Sequence, residues 1–134
     1  MTTIPDTPTW TWFRSVAAEL WPGVPAPPRR GCWPEAGAWL KTHGLLDAAV
    51  ATVRQAPGNR AWAIYYARRD GWWPAESAVA DIREAPGNRA WAIYCARDAG
   101  WWPEESAVAD IREAPGNRAW VIYCARDDGW WPAD

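Results

Sequence analysis

Residues 86–103 decide the fold, because they read PGNRAWAIYCARDAGWWP and return almost unchanged at a fixed interval. The same stretch occurs at 57–74 as PGNRAWAIYYARRDGWWP and at 115–132 as PGNRAWVIYCARDDGWWP, so each copy begins 29 residues after the one before. Segments 75–103 and 104–132 differ at only three positions. A fixed period of this length is typical of tandem-repeat architectures, in which each unit packs on its neighbours.

Each unit is predicted to contain two short helices, of which the first begins at the proline of the Trp-Trp-Pro motif. Proline suits the opening turn of a helix, because its missing N–H has no helical partner to lose. Four residues at helical spacing form one apolar face: Ala78, Val79, Ile82 and Ala85. Three acidic residues fall outside that face: Glu76, Asp81 and Glu84. This pattern predicts an amphipathic helix that ends at Pro86-Gly87.

The second helix is predicted over Arg89–Asp98, where residues 90–96 are all apolar or aromatic. Asn88 suits the N-cap position, and Gly100 can supply the left-handed residue that follows the helix. A helix that is apolar on nearly every side is expected to lie between neighbouring helices, which favours core packing for Trp91. Because helices of about ten residues are marginal alone, the units must stabilise one another by stacking.

The fold class that follows is all-α: a short αα-hairpin tandem-repeat solenoid with a 29-residue period and a degenerate N-terminal helical cap. The cap, which includes a linker rich in proline and arginine, is expected over 1–45. The stretch 34–56 begins inside the cap and continues past its end, and it is expected to form a longer version of the first-helix region. The remaining 46–134 is divided into three αα repeats: 46–74, 75–103 and 104–132.

The third unit keeps the interior sequence and is followed by no counterpart of the cap. Terminal repeats normally acquire a polar outer face. We therefore expect Trp120, Ile122 and Tyr123 to lie near an exposed apolar surface that serves self-association or a partner protein.

Composition narrows the functional classes. A net charge of −2 argues against a protein that holds nucleic acid mainly by neutralising phosphates. The longest apolar run is seven residues, whereas a membrane helix needs about 20. No secretory signal is visible after Met1, and three cysteines form an odd, sparse set. These features predict a cytoplasmic protein.

The 14 tryptophans are a large excess, but nine of them occupy three equivalent sites in three units. In each Trp-Trp pair, the residue before proline is pushed to an extended conformation, so the two indoles should point in different directions. The pre-proline indoles of Trp73, Trp102 and Trp131 could then form an exposed row or a seam between units. The pattern leaves both arrangements open.

Several residues are candidates for an interaction surface, because Trp, Tyr and Arg are enriched where proteins bind partners. The candidates are the pre-proline tryptophans Trp73, Trp102 and Trp131, the arginines Arg68, Arg97 and Arg126, and the terminal pair Trp120 and Tyr123. The leading hypothesis is a non-catalytic interaction module or homo-oligomer that uses these surfaces and its uncapped C-terminal face. One alternative is a Trp/Arg row that binds single-stranded nucleic acid or a small ligand. Another is a small inhibitor or immunity-type protein that occludes an enzyme.

Catalytic and metal chemistry find little support in the sequence. His43 is the only histidine, no nucleophile motif accompanies it, and a surface position at a helix end is expected for it. Cys95 and Cys124 stand where the preceding repeat has Tyr66, which suits a packed apolar slot better than a reactive thiol. With one histidine and no paired-cysteine motif, neither a cofactor nor a metal site is predicted.

Overall fold

The computed structural model describes residues 3–5, 8–115 and 118–132, and within these ranges the regular elements are helical. The all-α prediction is confirmed. A short 3₁₀ turn covers Trp33–Glu35, and the α-helices follow in chain order: α1 Trp10–Leu20, α2 Ala36–Thr42, α3 Leu46–Gln55, α4 Arg60–Arg69, α5 Ala78–Arg83, α6 Arg89–Asp98, α7 Glu104–Glu113 and α8 Arg118–Asp127. None of the described helices is both long and apolar enough to cross a bilayer.

The second helix of the middle unit has the predicted bounds, since α6 runs from Arg89 to Asp98. Gly100 follows it with a φ of +92°, which only glycine adopts readily. Its N–H donates to the Arg97 carbonyl at 3.0 Å, and the Trp101 N–H donates to the Ala96 carbonyl at 3.1 Å. These two bonds form a Schellman cap, which ends the helix and fixes the direction of the Trp-Trp pair.

The first helices begin later than predicted. Helix α7 begins at Glu104, so Pro103 is its N-cap residue rather than its first helical residue. Helix α5 begins only at Ala78, four residues after Pro74. The extended conformation that proline imposes on the preceding tryptophan continues through the motif before the chain turns into the helix.

The asparagine at the turn between the two helices joins neighbouring units. Asn59 and Asn88 occupy the N-cap positions of α4 and α6, but neither side chain caps its own helix. Instead, the Asn59 Oδ1 accepts a hydrogen bond from the Asn88 backbone N–H at 3.1 Å, 29 residues along the chain. Gly87 permits this approach, because a Cβ there would lie 2.7 Å from the Asn59 Cα. The sequence predicted the capping position correctly and the partner of the side chain wrongly.

The main core lies where second helices pack on one another and on the first helices that follow them. Helix α4 contacts α5 and α6, and α6 contacts α7 and α8. Isoleucines from successive helices are fully buried at the centre: Ile64, Ile82, Ile93 and Ile111. Around them, alanines such as Ala61, Ala90 and Ala96 are also fully buried, which lets the helix backbones approach closely.

The N-terminal region has a hydrophobic core of its own. Helices α2 and α3 occupy the region predicted over 34–56. Gly44, with a φ of +68°, separates α2 from α3, so the longer first-helix region predicted over 34–56 contains two helices, and the first of them ends next to His43. Trp10, Phe13 and Leu40 are buried together in the N-terminal core. Ile4 forms the single described β-bridge, with Gly58.

Candidate protein-interaction face

The pre-proline tryptophans form a seam rather than an exposed row. Trp73, Trp102 and Trp131 are 3%, 2% and 8% exposed. The Trp73 indole N–H donates to the Asp81 carboxylate at 3.0 Å, and Trp102 repeats the bond with Asp110 at 3.1 Å. Trp73 and Trp102 are therefore corrected from candidate surface residues to residues that join units, and Trp131 is corrected to a buried residue.

The same carboxylates receive an arginine from the preceding unit. Arg54 reaches Asp81 at 3.1 Å, and Arg83 reaches Asp110 at 3.0 Å. Each guanidinium also lies over the pre-proline ring, with Arg83 5.4 Å from the Trp102 ring centre. The aspartates were placed outside the apolar face from the sequence, correctly, but their role in joining units was missed. An aspartate eight residues after each pre-proline tryptophan was the available signal.

In the two later Trp-Trp pairs, the other tryptophan covers an aromatic layer at the edge of the core. Trp101 stacks on Tyr65 with ring centres 6.1 Å apart, and Trp130 stacks on Tyr94 at the same distance. Arg68 lies 5.0 Å over the Trp101 ring, in the geometry of a cation–π contact. Arg97 lies 4.2 Å over the Trp130 ring. These candidate arginines thus pack on tryptophans of a later unit.

Trp91 belongs to this layer and not to the core interior. It is half-buried, stacks on Tyr94 at 5.2 Å and has the Trp62 ring 6.4 Å away. Core packing was predicted for it because the whole helix is apolar. The correction has a simple cause: alanines and Ile93 fill the narrow space between helices, and the larger indole is displaced to the edge.

Helix α8 carries the third copy of this aromatic layer, and here the rings are exposed to solvent. Trp120 and Tyr123 stack at 5.4 Å, but they are 53% and 60% exposed. Ala119 is also exposed, whereas its equivalent Ala90 is fully buried. We call the surface formed by Arg112, Arg118, Trp120, Tyr123 and Arg126 the C-terminal face.

A groove lies beside the C-terminal face. It has a volume of about 210 Å³ and is lined by Asn88, Trp91, Trp120 and Val121. Two of its walls are indoles from neighbouring units, Trp91 and Trp120.

Tyr94, which lies under the Trp130 indole, is also bound through its hydroxyl group. The Tyr94 hydroxyl donates to the Asp128 carboxylate, which raises the pKa of Tyr94 because the bond favours the protonated phenol. The bond joins α6 to the end of the next unit. Unit 104–132 therefore supplies an indole, from Trp130, and a carboxylate, from Asp128, to the surface of α6.

His43 and the cysteines are the residues that were considered for catalytic chemistry. His43 is the C-cap residue of α2, as predicted, and its exposed ring packs on Trp39 at 4.7 Å. Burial raises the pKa of the Cys95 thiol to about 12, and a hydrogen bond to Glu35 raises the pKa of Cys32. A reactive cysteine needs a lowered pKa. Within the described ranges, no cluster of three metal-ligating side chains occurs.

Comparison with protein-family models, with curated proteins and with solved structures finds no match to this chain.

Proposed function

We propose that the chain is a non-catalytic protein-interaction module, built as an αα solenoid and docking its partner through the C-terminal face. The solenoid arrangement is supported by contacts that recur after 29 residues: Arg54–Asp81 is repeated by Arg83–Asp110. The units of the proposal are 46–74, 75–103 and 104–132, preceded by the cap over 1–45.

The exposure of Trp120 and Tyr123 carries the proposal. Their equivalents on α6, Trp91 and Tyr94, are half-buried, and Trp130 of unit 104–132 stacks on Tyr94. Adjacent exposed aromatic rings that stack on each other form a rigid apolar patch. Patches of this kind, with arginine at the rim, are the usual anchors of protein interfaces.

The nucleic-acid alternative receives less support. It required an exposed Trp/Arg row, but the pre-proline indoles are buried, and Arg54 and Arg83 are bound to aspartates. No contact in the described ranges favours a small-ligand binder or an inhibitor-type protein over a general docking module. The cytoplasmic location stays a prediction.

Self-association is the consequence to measure when no other partner is present. We expect the mass of the chain to rise above the 15.0 kDa monomer with concentration in sedimentation equilibrium. A Tyr123→Glu variant should stay monomeric, because it places a charge in the aromatic patch. Arg29→Glu, in the exposed linker, is the matched control and should behave like the wild type. Wild-type association that Tyr123→Glu leaves unchanged would contradict a role for the C-terminal face.

The nucleic-acid alternative is tested separately by tryptophan fluorescence. We expect single-stranded oligonucleotides to leave the emission unchanged at low and at high salt. Strong quenching that salt reverses would favour the alternative.

A further inference from the structure

We propose that the aromatic layer at the edge of the core conducts one-electron oxidation, and that the oxidised state comes to rest on Tyr94 as a tyrosyl radical. The oxidant is a diffusing one-electron acceptor, such as a peroxyl radical. The inference goes beyond the docking function, since it needs no residue of the C-terminal face. Its basis is a row of neighbouring rings in which the Tyr94 phenol has a carboxylate partner.

Six rings of the aromatic layer follow one another across the three units. In order along the row they are Trp101, Tyr65, Trp62, Trp91, Tyr94 and Trp130. The successive ring centres are 6.1, 5.1, 6.4, 5.2 and 6.1 Å apart. All steps are stacked except the tilted step between Trp62 and Trp91. Because electron transfer slows steeply with distance, such short steps let an electron cross the row far faster than a single long transfer would.

Arginines lie over the two end rings of the row. Arg68 is 5.0 Å from the Trp101 ring centre, and Arg97 is 4.2 Å from that of Trp130. An indole that has lost an electron carries a positive charge, and a guanidinium at this distance repels that charge. The oxidised state is therefore disfavoured at both ends and favoured on the four rings between them.

Among the inner rings, Tyr94 has a proton acceptor in place. Its hydroxyl donates a hydrogen bond to the Asp128 carboxylate. A phenol gives up an electron much more readily when its proton leaves in the same step. Here one electron passes from Tyr94 to the oxidised Trp91 indole, the phenolic O–H bond breaks, and the proton moves along the existing hydrogen bond to Asp128. The products are a restored indole, a neutral tyrosyl radical and a protonated carboxyl group, and the oxidant has gained one electron.

Tyr65 is the equivalent phenol one unit earlier, and it provides an internal comparison. It stacks under Trp101 at 6.1 Å, as Tyr94 does under Trp130. The residue 29 positions before Asp128, however, is Ala99, whose methyl group cannot accept a proton. The two tyrosines share a ring environment and differ in the carboxylate, so oxidation ends at Tyr94.

Flash photolysis of the full chain tests the inference. Photo-generated tris(bipyridine)ruthenium(III) is the oxidant, and transient absorption distinguishes tryptophanyl from tyrosyl radicals. We expect the tryptophanyl signal to decay as the tyrosyl signal rises, at a rate that is independent of protein concentration because the transfer is intramolecular. Asp128→Asn should slow the rise at least about tenfold, because a positioned general base is lost. Asp127→Asn, at an exposed position of α8, is the matched control and should leave the rate unchanged.

Two further pairs of variants assign the radical and its path. Tyr94→Phe should remove most of the tyrosyl signal, whereas Tyr65→Phe should leave it. Trp91→Phe should slow the transfer, because it leaves a gap between Trp62 and Tyr94 that only a longer step can cross. Trp120→Phe, at the equivalent position of α8, should not slow it.

A gain-of-function variant makes the test independent of losses. Ala99→Asp supplies a carboxylate at the position equivalent to Asp128. In a chain that also carries Tyr94→Phe, it should restore the tyrosyl signal, now at Tyr65.

The outcomes are distinct from those of the docking experiment. A tyrosyl radical whose formation depends on Asp128 supports the inference, whatever the association state of the chain. If the wild type forms no tyrosyl radical, or if Asp128→Asn forms it equally fast, the inference is wrong and the docking function is unaffected.

Discussion

Helices α6 and α8 have the same residues at nine of ten positions, yet one faces a seam and the other faces solvent. On α6, Tyr94 is covered by Trp130 and bound through its hydroxyl to Asp128. On α8, the equivalent Tyr123 is 60% exposed. The comparison shows that in a repeat protein a residue's burial is decided by its neighbouring unit, so identical sequences can be core in one copy and surface in another.

The largest expected difference between seam and face is in the free energy of unfolding. Trp102→Ala should lower it by about 4 kcal/mol, because the change empties a buried site and removes the indole donor to Asp110. Tyr123→Ala should change it by less than about 0.5 kcal/mol, as is usual for exposed side chains. Urea denaturation followed by circular dichroism measures both. Similar losses in the two variants would show that the C-terminal face is packed in solution.

Isoleucines at equivalent positions should show the same difference in stability on a smaller scale. Ile93 is fully buried and Ile122 is half-buried. We expect Ile93→Ala to cost about 3 kcal/mol and Ile122→Ala about 1 kcal/mol, because less apolar area returns to water at the exposed site. The same denaturation experiment checks this pair. A larger loss of stability for Ile122→Ala than for Ile93→Ala would contradict the greater burial of Ile93.

The carboxylate of Asp110 should contribute less to the free energy of unfolding than the buried indole of Trp102 does. Asp110→Asn should lower the free energy of unfolding by about 2 kcal/mol, because Arg83 and Trp102 both lose a charged acceptor. Asp127→Asn, at an exposed position of α8, is the control and should be nearly neutral. An Asp110→Asn variant as stable as its control would mean that the ion pair contributes nothing.

The smallest expected effect is a difference in chemical reactivity between the equivalent cysteines Cys95 and Cys124. Burial raises the pKa of Cys95 from its ordinary value of 9.0 to about 12, so its thiolate is scarce at pH 8. We expect iodoacetamide to modify Cys95 at least about tenfold more slowly than Cys124, on the uncovered helix. Mass spectrometry of digested samples measures the rates, and equal rates in the folded protein would contradict the comparison.

The raised pKa of Cys95 also has a consequence at alkaline pH. The unfolded chain loses this proton above pH 9 and the folded chain only near pH 12. The contribution to stability is therefore complete below pH 9 and is lost as the pH rises toward 12. Cys95→Ala should remove this part of the alkaline dependence.

The sequence predicted the all-α class and the bounds of α6, because these depend on helical periodicity and on local capping signals such as Gly100. It placed the start of the first helices too early, since the preference of proline for an opening turn competes with the extended conformation that it imposes on Trp102.

The site was harder to predict than the helices. Which indole of a pair is buried depends on where the next unit places its carboxylate, and that is a tertiary property. The aspartates at 81 and 110 were visible in the sequence, but only the structure brings them to the indole N–H groups of Trp73 and Trp102. Trp91 was assigned to the core because its helix is apolar, although the space between closely packed alanine-rich helices excludes an indole.

The pre-proline indoles of Trp73, Trp102 and Trp131 are buried, whereas the indole of Trp120 lies at the surface. Fluorine NMR of protein labelled with 5-fluorotryptophan, assigned by single Trp→Phe variants, tests this difference directly. A soluble paramagnetic agent should broaden the Trp120 resonance strongly and leave those of Trp73, Trp102 and Trp131 almost unchanged. Broadening of Trp102 equal to that of Trp120 would contradict the claim.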